Sequence, residues 1–314
     1  MKSKIIMNNL GLVVCLRTGA DKLQSVLQDV ANSRFLPGEI VLVDPSHSST
    51  TAELVHKFNR ENGLFIKHIG GGIALPAQRN SGIKTIERAN KGIEYLTILD
   101  EDVRFDPFYL NAVVQEFETL PQALAIGGYD RNLFFSWDIF SKILKAIRRK
   151  RSYGMLLKSG VAIPPMPIEG TPRYPCMWIP GHSMSFRIKA FSGSNFAEEL
   201  GDNGADVDFL LRLRSKGEIF FSSKLSVIRD PMPLLAGLRK DEALLDAQSR
   251  WQLSQRHMRL IKPSRVIARA LVDCVSNFLS FAISRSSMRR DRSFALASFL
   301  LIRIDALGHL SARK

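Results

Sequence analysis

The stretch YLTILDEDVRFDPFYL, residues 95–110, contains a short apolar run, an acidic cluster and the signals of a helix start. The apolar run is typical of a buried strand, and Asp106 followed by Pro107 predicts a helix N-cap and its first position. The acidic cluster, residues 100–102, therefore lies where a strand leaves the core. Because ligands of open α/β sheets bind at the carboxyl ends of the strands, the stretch predicts carboxylates at a site.

The chain before this stretch alternates between short apolar segments and amphipathic ones. Strands are predicted at 10–16, 38–44, 64–69 and 95–100, and helices at 20–33, 49–63 and 77–89. This alternation predicts an α/β fold with a mostly parallel sheet and helices on both faces. Asp44 also falls at the carboxyl end of a predicted strand.

The pattern becomes less regular after Pro121. The later segments are predicted to be a strand that runs into a loop at 123–132, a strand-like segment at 181–191, a helix at 205–217 and closing strands at 218–228. From Lys240 the chain is predicted to be helical. We therefore expect one large α/β domain over residues 8–238 and a basic C-terminal helical extension over residues 239–314.

Charge is unevenly distributed along the 314 residues, whose net charge is +14. Residues 239–314 carry fifteen Lys or Arg against six Asp or Glu, and a second basic cluster covers 142–158. Each cluster has two interpretations, a solvated helix face or a surface for an anionic partner such as lipid, a phosphorylated substrate or nucleic acid. Three dispersed cysteines predict structural thiols in a reducing compartment. The longest apolar runs are too short for a membrane-spanning helix, and residues 10–16 are interpreted as a strand instead of a signal peptide.

The order of the segments at 10–30, 37–55, 77–83, 96–107, 181–191 and 205–217 resembles that of the family 2 glycosyltransferases. The resemblance covers about residues 10–221. It implies the GT-A fold, which is Rossmann-like, and transfer of a sugar from a nucleoside-diphosphate sugar to a hydroxyl acceptor with inversion. It also implies a divalent cation, Mg²⁺ or Mn²⁺. These ions prefer oxygen ligands and often bind substrate phosphates.

The resemblance also implies roles for individual residues. Asp102 matches the metal-binding position, and Asp100 matches its acidic partner near the nucleotide. Asp44 and Arg79 match positions that contact the nucleotide. Asp206 matches the general base that takes the proton of the acceptor hydroxyl.

Three positions depart from the family pattern. Pro45 stands where a second acidic nucleotide contact is common, and Ala205 replaces the Glu before the base. Arg229 stands where many members place a metal- or phosphate-binding His. Since an arginine cannot ligate a metal but can hold a diphosphate, we expect Arg229 to contact the donor and the metal requirement to be weaker.

Two further residues are acceptor-site candidates. His182 follows Gly181 and could touch the acceptor, although a lone His is more often structural. Trp251 lies in a segment similar to a motif of processive synthases, although its spacing is one residue short and buried packing is the alternative. The acceptor itself is expected to be a saccharide or a lipid-linked sugar.

The tail suggests where the reaction takes place. Apolar residues among its arginines suit contact with an anionic membrane surface, whereas packing on the rest of the chain or dimerisation are the alternatives. We expect a cytoplasmic protein, peripheral on the cytoplasmic membrane face, in cell-envelope polysaccharide or glycolipid biosynthesis. A basic nucleic-acid-binding protein, a sugar nucleotidyltransferase and a degenerate, non-catalytic GT-A member are the competing hypotheses. No nucleic-acid partner is expected, because recognised motifs and regular aromatic interleaving are missing from the basic regions.

Overall fold

The protein is described by a computed structural model covering residues 4–17, 20–46, 48–89, 92–132, 153–229, 240–284 and 287–311. The larger part of the basic cluster, residues 142–152, and the predicted domain boundary at 238/239 lie outside these residues. The chain divides into two compact units, one formed by Met1–Met155 with Pro164–Asp230 and the other by Leu156–Ile163 with Pro231–Lys314.

The first unit contains a nine-stranded sheet in the order β3-β2-β1-β4-β8-β6-β9-β5, with β7 paired to β9. The strands are β1 Ile5–Cys15, β2 Phe35–Asp44, β3 Ile66–Gly70, β4 Tyr95–Asp100, β5 Val103–Arg104, β6 Ala123–Asp130, β7 Arg173–Pro175, β8 Ser183–Arg187 and β9 Glu218–Arg229. Its α-helices are α1 Ala20–Asn32, α2 Ser49–Asn62, α3 Leu75–Ala89, α4 Tyr109–Thr119 and α5 Ala205–Leu213. β3, β2, β1 and β4 are parallel to one another, whereas β8 runs antiparallel between β4 and β6. The predicted α/β architecture is confirmed.

The apolar run of the opening stretch forms the centre of this sheet. All residues of β4 are buried, as a strand covered on both faces requires. On one face α3 packs closely against β1, because a Cβ at Gly82 would lie 2.4 Å from a methyl carbon of Val13. Only a glycine allows this approach, which fixes the position of the polar residues earlier in α3.

Some predicted boundaries were wrong. The helix after the acidic cluster begins at Tyr109, not at Pro107, and the Asp106 carboxylate accepts the backbone N–H of Phe108 at 2.8 Å in the turn before it. The segment 218–228 forms one long strand, β9, instead of several closing strands. In 181–191 only Ser183–Arg187 is a strand, and a 3₁₀ turn at Ile188–Phe191 follows it.

The second unit contains three helices, α6 Lys240–Arg256, α7 Pro263–Ser284 and α8 Ser287–Ser311. The predicted C-terminal helices are therefore present. Among the described residues, none of the helices combines the length and the apolar character needed to cross a bilayer.

Candidate active site

The parallel strands bring several polar residues to one edge of the sheet. Cys15 at the end of β1 pairs in register with Asp100 at the end of β4, and Asp44 ends β2 beside Gly70 of β3. Asp44 and Asp100 are both buried. The sequence therefore predicted correctly that these carboxylates lie at the carboxyl ends of parallel strands, β2 and β4, which flank β1.

Arg79 from α3 lies at the centre of the site. Its guanidinium donates to the Asp100 carboxylate at 3.4 Å and to the backbone carbonyl of Gly181 at 2.9 Å. It also lies over the ring of Phe196, 5.5 Å from the centroid. The side chain is almost completely buried, and these contacts hold its permanent positive charge in one place.

Asp100 is held in a buried environment that disfavours its charge. Burial raises the pKa of its carboxyl, and the positive charge of Arg79 opposes that shift.

Glu101, the neighbour of Asp100, has a structural role. Its carboxylate accepts the backbone N–H of Arg17, and its own N–H donates to the Cys15 carbonyl at 3.1 Å. The middle acid of the cluster thus ties the end of β4 to the end of β1, a role that the sequence did not reveal.

Asp102 is paired with Arg229. A guanidinium nitrogen of Arg229 lies 2.6 Å from the Asp102 carboxylate, because the β5–β9 pairing sets Val103 opposite Arg229. The second carboxylate oxygen of Asp102 is buried and has no hydrogen-bond partner within the described part of the chain. Asp102 therefore has one oxygen neutralised by a fixed cation and one oxygen still to be satisfied.

Asp206 begins α5 and reaches the same region. Its carboxylate accepts the backbone N–H of Val207 at 2.8 Å, and a Cβ placed on Gly181 would lie 2.6 Å from its other oxygen. The glycine therefore allows both Asp206 and Arg79 to lie close to this backbone segment. Burial raises the pKa of Asp206, while Arg79 acts in the opposite direction. A carboxylate with a raised pKa is a stronger base than an exposed one.

The positive charges of two arginines, Arg229 and Arg79, act on His182. Its pKa is held well below the ordinary value, first by burial and then by the positive charges of Arg229 and Arg79. The imidazole is therefore neutral at physiological pH, and its buried Nδ1 has no hydrogen-bond partner among residues that the structure describes. A neutral ring of this kind can exchange a hydrogen bond with a bound hydroxyl.

Asp44 is engaged by its own neighbourhood. It accepts hydrogen bonds from the backbone and hydroxyl of Ser46 at 2.8 and 2.6 Å, and lies 3.3 Å from the His68 ring. Burial acts to raise its pKa, but the hydrogen bonds outweigh it, so the pKa of Asp44 is lowered and the carboxylate is ionised. Both of its carboxylate oxygens contact neighbours at the end of β2, beside Pro45.

Trp251 lies in the second unit, on α6. Its ring is buried, and the Arg303 guanidinium lies over it at 5.4 Å. These contacts indicate a packing role, and contact with an acceptor stays a prediction.

A divalent cation could use only part of this set. The described residues contain no cluster of three or more His, Cys, Asp or Glu side chains arranged to hold a metal. The free oxygen of Asp102 fits a single anchoring ligand, and Mg²⁺ or Mn²⁺ commonly completes its shell with substrate phosphates and water. The residues thus fit a cation that arrives with a diphosphate, not a preformed cage.

Part of the chain matches a known family model. Residues 12–163 match the model of the family described as Glycosyl transferase family 2. This match confirms the resemblance seen in the sequence over that part of the chain. No curated protein matches the sequence.

Solved structures with low sequence identity share the fold. A mannosyltransferase from Pyrobaculum calidifontis, solved with GDP-Man and Mn²⁺, is 14% identical, with a TM-score of 0.56 over 93% of this chain and 87% of its own. GalNAc-T7, solved with UDP, GalNAc and Mn²⁺, is 13% identical with a TM-score of 0.52, over 77% of this chain and 47% of its own. Glucosyl-3-phosphoglycerate synthase from Mycobacterium tuberculosis, solved with Mn²⁺, UDP and phosphoglyceric acid, is 13% identical with a TM-score of 0.50, over 80% and 78%. The fold is therefore GT-A, and at these identities the likeness is one of fold alone.

Proposed function

We propose that the protein is an inverting glycosyltransferase that moves a sugar from a nucleoside-diphosphate sugar to a hydroxyl acceptor. One observation carries the proposal. The Arg79 guanidinium contacts Asp100 and the Gly181 carbonyl, and Gly181 in turn lies against Asp206. The donor-side carboxylate and the candidate base are thereby held in one site on a family 2 scaffold.

The donor end would be recognised by charge and by hydrogen bonds. Asp44 offers an ionised acceptor to the nucleoside, and Arg229 offers a guanidinium to the diphosphate. When bound, a divalent cation at Asp102 would stabilise the negative charge that develops on the leaving nucleoside diphosphate. Arg229 carries part of the same task, because its permanent charge already lies at Asp102.

The acceptor end would be activated by Asp206. Its carboxylate would take the proton of the acceptor hydroxyl as that oxygen attacks the anomeric carbon from the face opposite the leaving group. The sugar–oxygen bond to the diphosphate breaks as the new bond forms. A single displacement inverts the configuration and needs no covalent intermediate. His182 would orient the acceptor as a neutral hydrogen-bonding group.

Nucleotide binding tests the donor part of this proposal. We expect a nucleoside diphosphate to raise the thermal midpoint of the wild-type protein, and Mg²⁺ or Mn²⁺ to raise it further, because ligands that bind only the folded state stabilise it. In Asp102→Asn the additional shift caused by the cation should disappear. A smaller, cation-independent shift should remain, since Arg79 and Arg229 are still present. The measurement is a thermal-shift screen of nucleoside diphosphates and nucleotide sugars.

Asp106→Asn provides the matched control. Asp106 lies in the same stretch but is exposed, and an asparagine there still accepts the N–H of Phe108. It should respond to nucleotide and cation as the wild type does. If no nucleotide stabilises the wild type, the transferase proposal fails and a degenerate, non-catalytic member of the fold becomes the better hypothesis.

The second unit supports a proposal about location. Leu271, Val275, Phe278 and Leu279 of α7 are each about half exposed, whereas Val266 of the same helix is buried. Solvent-exposed apolar side chains in a segment with a large excess of Lys and Arg are typical of a surface that binds anionic lipid. These features support our proposal that the protein acts at the cytoplasmic membrane face, on a saccharide or lipid-linked acceptor in cell-envelope polysaccharide or glycolipid biosynthesis.

Vesicle flotation tests this location. The double variant Phe278→Ser with Leu279→Ser should bind anionic vesicles several-fold more weakly than the wild type, because apolar area that would enter the lipid is lost. Phe65→Ser is the control, since Phe65 is 79% exposed but belongs to the first unit. Equal flotation of the double variant and the wild type would remove this face of α7 from the membrane proposal.

A further inference from the structure

Asn80 follows Arg79 in α3, and its side chain is buried. Its amide makes three hydrogen bonds to a single segment that is distant in the sequence. The amide nitrogen donates to the backbone carbonyl of Phe196 at 3.0 Å and to the carboxylate of Glu198 at 2.9 Å. The amide oxygen accepts the backbone N–H of Phe196 at 2.9 Å. One side chain therefore satisfies both backbone polar groups of Phe196 and fixes that residue relative to α3.

The ring of Phe196 joins three elements of the candidate active site. It stacks on Phe209 of α5, with 4.4 Å between the ring centroids, and meets Phe186 of β8 edge-on at 6.4 Å. The guanidinium of Arg79, from α3, lies over the same ring. Because α5 carries Asp206 in its first turn, the helix of the candidate base packs on the ring that also contacts the central arginine.

The hydrogen bonds described above for Arg79 leave the plane of its guanidinium undetermined. Its contacts with Asp100 and with the Gly181 carbonyl both use the same nitrogen, Nη2. Within the residues that the structure describes, its buried Nε has no hydrogen-bond partner. Two contacts to one atom hold that atom in place, whereas the face of an aromatic ring attracts the whole cation. The ring of Phe196 therefore supplies the orientation that these hydrogen bonds leave open.

We infer that Asn80 and Phe196 are positioning residues for Arg79. Asn80 sets the place of Phe196. The ring of Phe196 in turn sets the plane of the guanidinium that contacts Asp100 and the backbone beside Asp206. The consequence for catalysis rests on the proposed transfer reaction, whereas the support of Arg79 by the ring is a property of the folded protein and can be measured without substrate.

A double-mutant cycle in the free energy of unfolding tests this support. Phe196→Leu keeps much of the apolar volume but removes the aromatic face, and Arg79→Met removes the cation. In the wild-type background Phe196→Leu loses both packing and the attraction to the guanidinium, whereas in the Arg79→Met background it loses packing alone. Its effect on the unfolding equilibrium constant should therefore be about fivefold smaller in the second background. Denaturant unfolding of the full chain at pH 7 gives the four values.

Phe191→Leu is the matched control for the cycle. Phe191 is buried in the same cluster and packs on the same two rings, with centroid distances of 5.0 Å to Phe186 and 5.5 Å to Phe209. The guanidinium lies over Phe196 instead. The effect of Phe191→Leu should therefore be the same in both backgrounds. If a Phe196→Leu variant has no cooperative transition, Phe196→Met, which adapts to irregular gaps, takes its place.

Sugar transfer by the folded variants tests the positioning role. Asn80→Ala and Phe196→Leu should each lower kcat about 10- to 100-fold, because a small displacement of a positioned group can cost this much. The acid limb of kcat/KM should also move to higher pH. The positive charge of Arg79 opposes the raised pKa of Asp206, and a guanidinium that is held less firmly opposes it less. A residue that only packs would lower the thermal midpoint without moving this limb.

Ser81→Ala is the control for Asn80→Ala, because the Ser81 hydroxyl donates to the Ala77 carbonyl of its own helix at 2.9 Å. It should keep the kcat and the acid limb of the wild type.

The two measurements separate this inference from the proposed function. Equal effects of Phe196→Leu in the two backgrounds would show that the ring does not support the guanidinium. A wild-type kcat and acid limb in Asn80→Ala or in Phe196→Leu would overturn the positioning role. If the wild type itself transfers no sugar, the proposed function fails, and the unfolding cycle still decides whether the ring supports Arg79.

Discussion

Asp206→Asn is expected to reduce the rate of sugar transfer by about 10²- to 10⁴-fold while donor binding stays nearly unchanged. Asparagine has the same shape as aspartate, and its amide oxygen can still accept the Val207 N–H that Asp206 accepts at 2.8 Å. What it loses is the ability to take a proton. The measurement is kcat for the best donor found in the nucleotide screen, together with the donor dissociation constant.

The stability of the same variant provides a second readout. Because burial raises the pKa of Asp206, its ionised form is unfavourable in the folded protein at neutral pH. Removing that charge should leave the thermal midpoint unchanged or higher, so a fall in kcat cannot be ascribed to unfolding. A residue that lowers stability in return for activity is common at active sites.

Asp208→Asn is the matched control on the same helix. Asp208 is completely buried, and its carboxylate pairs with Arg212 at 2.8 Å, which indicates a structural role. Its substitution should lower the thermal midpoint but not the turnover of the folded protein. If Asp206→Asn transfers sugar at the wild-type rate, Asp206 is not the base.

The pH dependence follows from the same shift. The base must be ionised, and the pKa of Asp206 is raised by burial against the opposing charge of Arg79. The acid limb of kcat/KM should therefore lie above the range of an exposed aspartate, and activity should fall as the pH drops through it. Burial raises the pKa of Asp100 too, so the limb can contain both groups.

The sequence was sufficient for local features of the site. An apolar run followed by acids places Asp100 at the end of β4, since a strand covered on both faces must be apolar until it leaves the core. Asp44 follows by the same argument. The start of α4 was misplaced because Asp106 can serve as an N-cap or form a local turn with Phe108, and the sequence alone does not distinguish the two.

Contacts between distant segments could not be predicted. Arg229 reaches Asp102 only because β9 is long enough to pair with the two-residue strand β5, and no local pattern specifies that pairing. The approach of Arg79 to Gly181 depends on β8 entering the sheet antiparallel beside β4. Such pairings depend on the register of the strands across the whole sheet. A register shift of one residue would turn every side chain of a strand to the opposite face.

Arg79→Met is expected to lower the free energy of unfolding at neutral pH by about 3–5 kcal/mol, because it removes one partner of a buried ion pair. The Arg79 and Asp100 side chains are 3% and 7% exposed, so solvent cannot replace the lost charge. Asp206 loses the same counter-charge. Denaturant unfolding at pH 7 measures the effect, and donor binding should be lost in the variant.

The pH dependence of this loss distinguishes an electrostatic cause from lost packing. The pKa values of Asp100 and Asp206 are already raised by burial, and removing Arg79 raises them further. Both carboxyls are then protonated, and no longer penalised, as the pH falls through those values. The difference in stability between wild type and Arg79→Met should therefore shrink on acidification.

Arg104→Met is the matched comparison for Arg79→Met. Arg104 pairs with Asp29 at 2.6 Å, but its own side chain is 40% exposed, so water screens the pair and the loss should be smaller than for Arg79. A deficit in Arg79→Met that is the same at pH 5 and pH 7 would mean that its guanidinium acts by filling space over Phe196. The proposed link between the donor carboxylate and the base through one buried charge would then be rejected, since that link requires the charge itself.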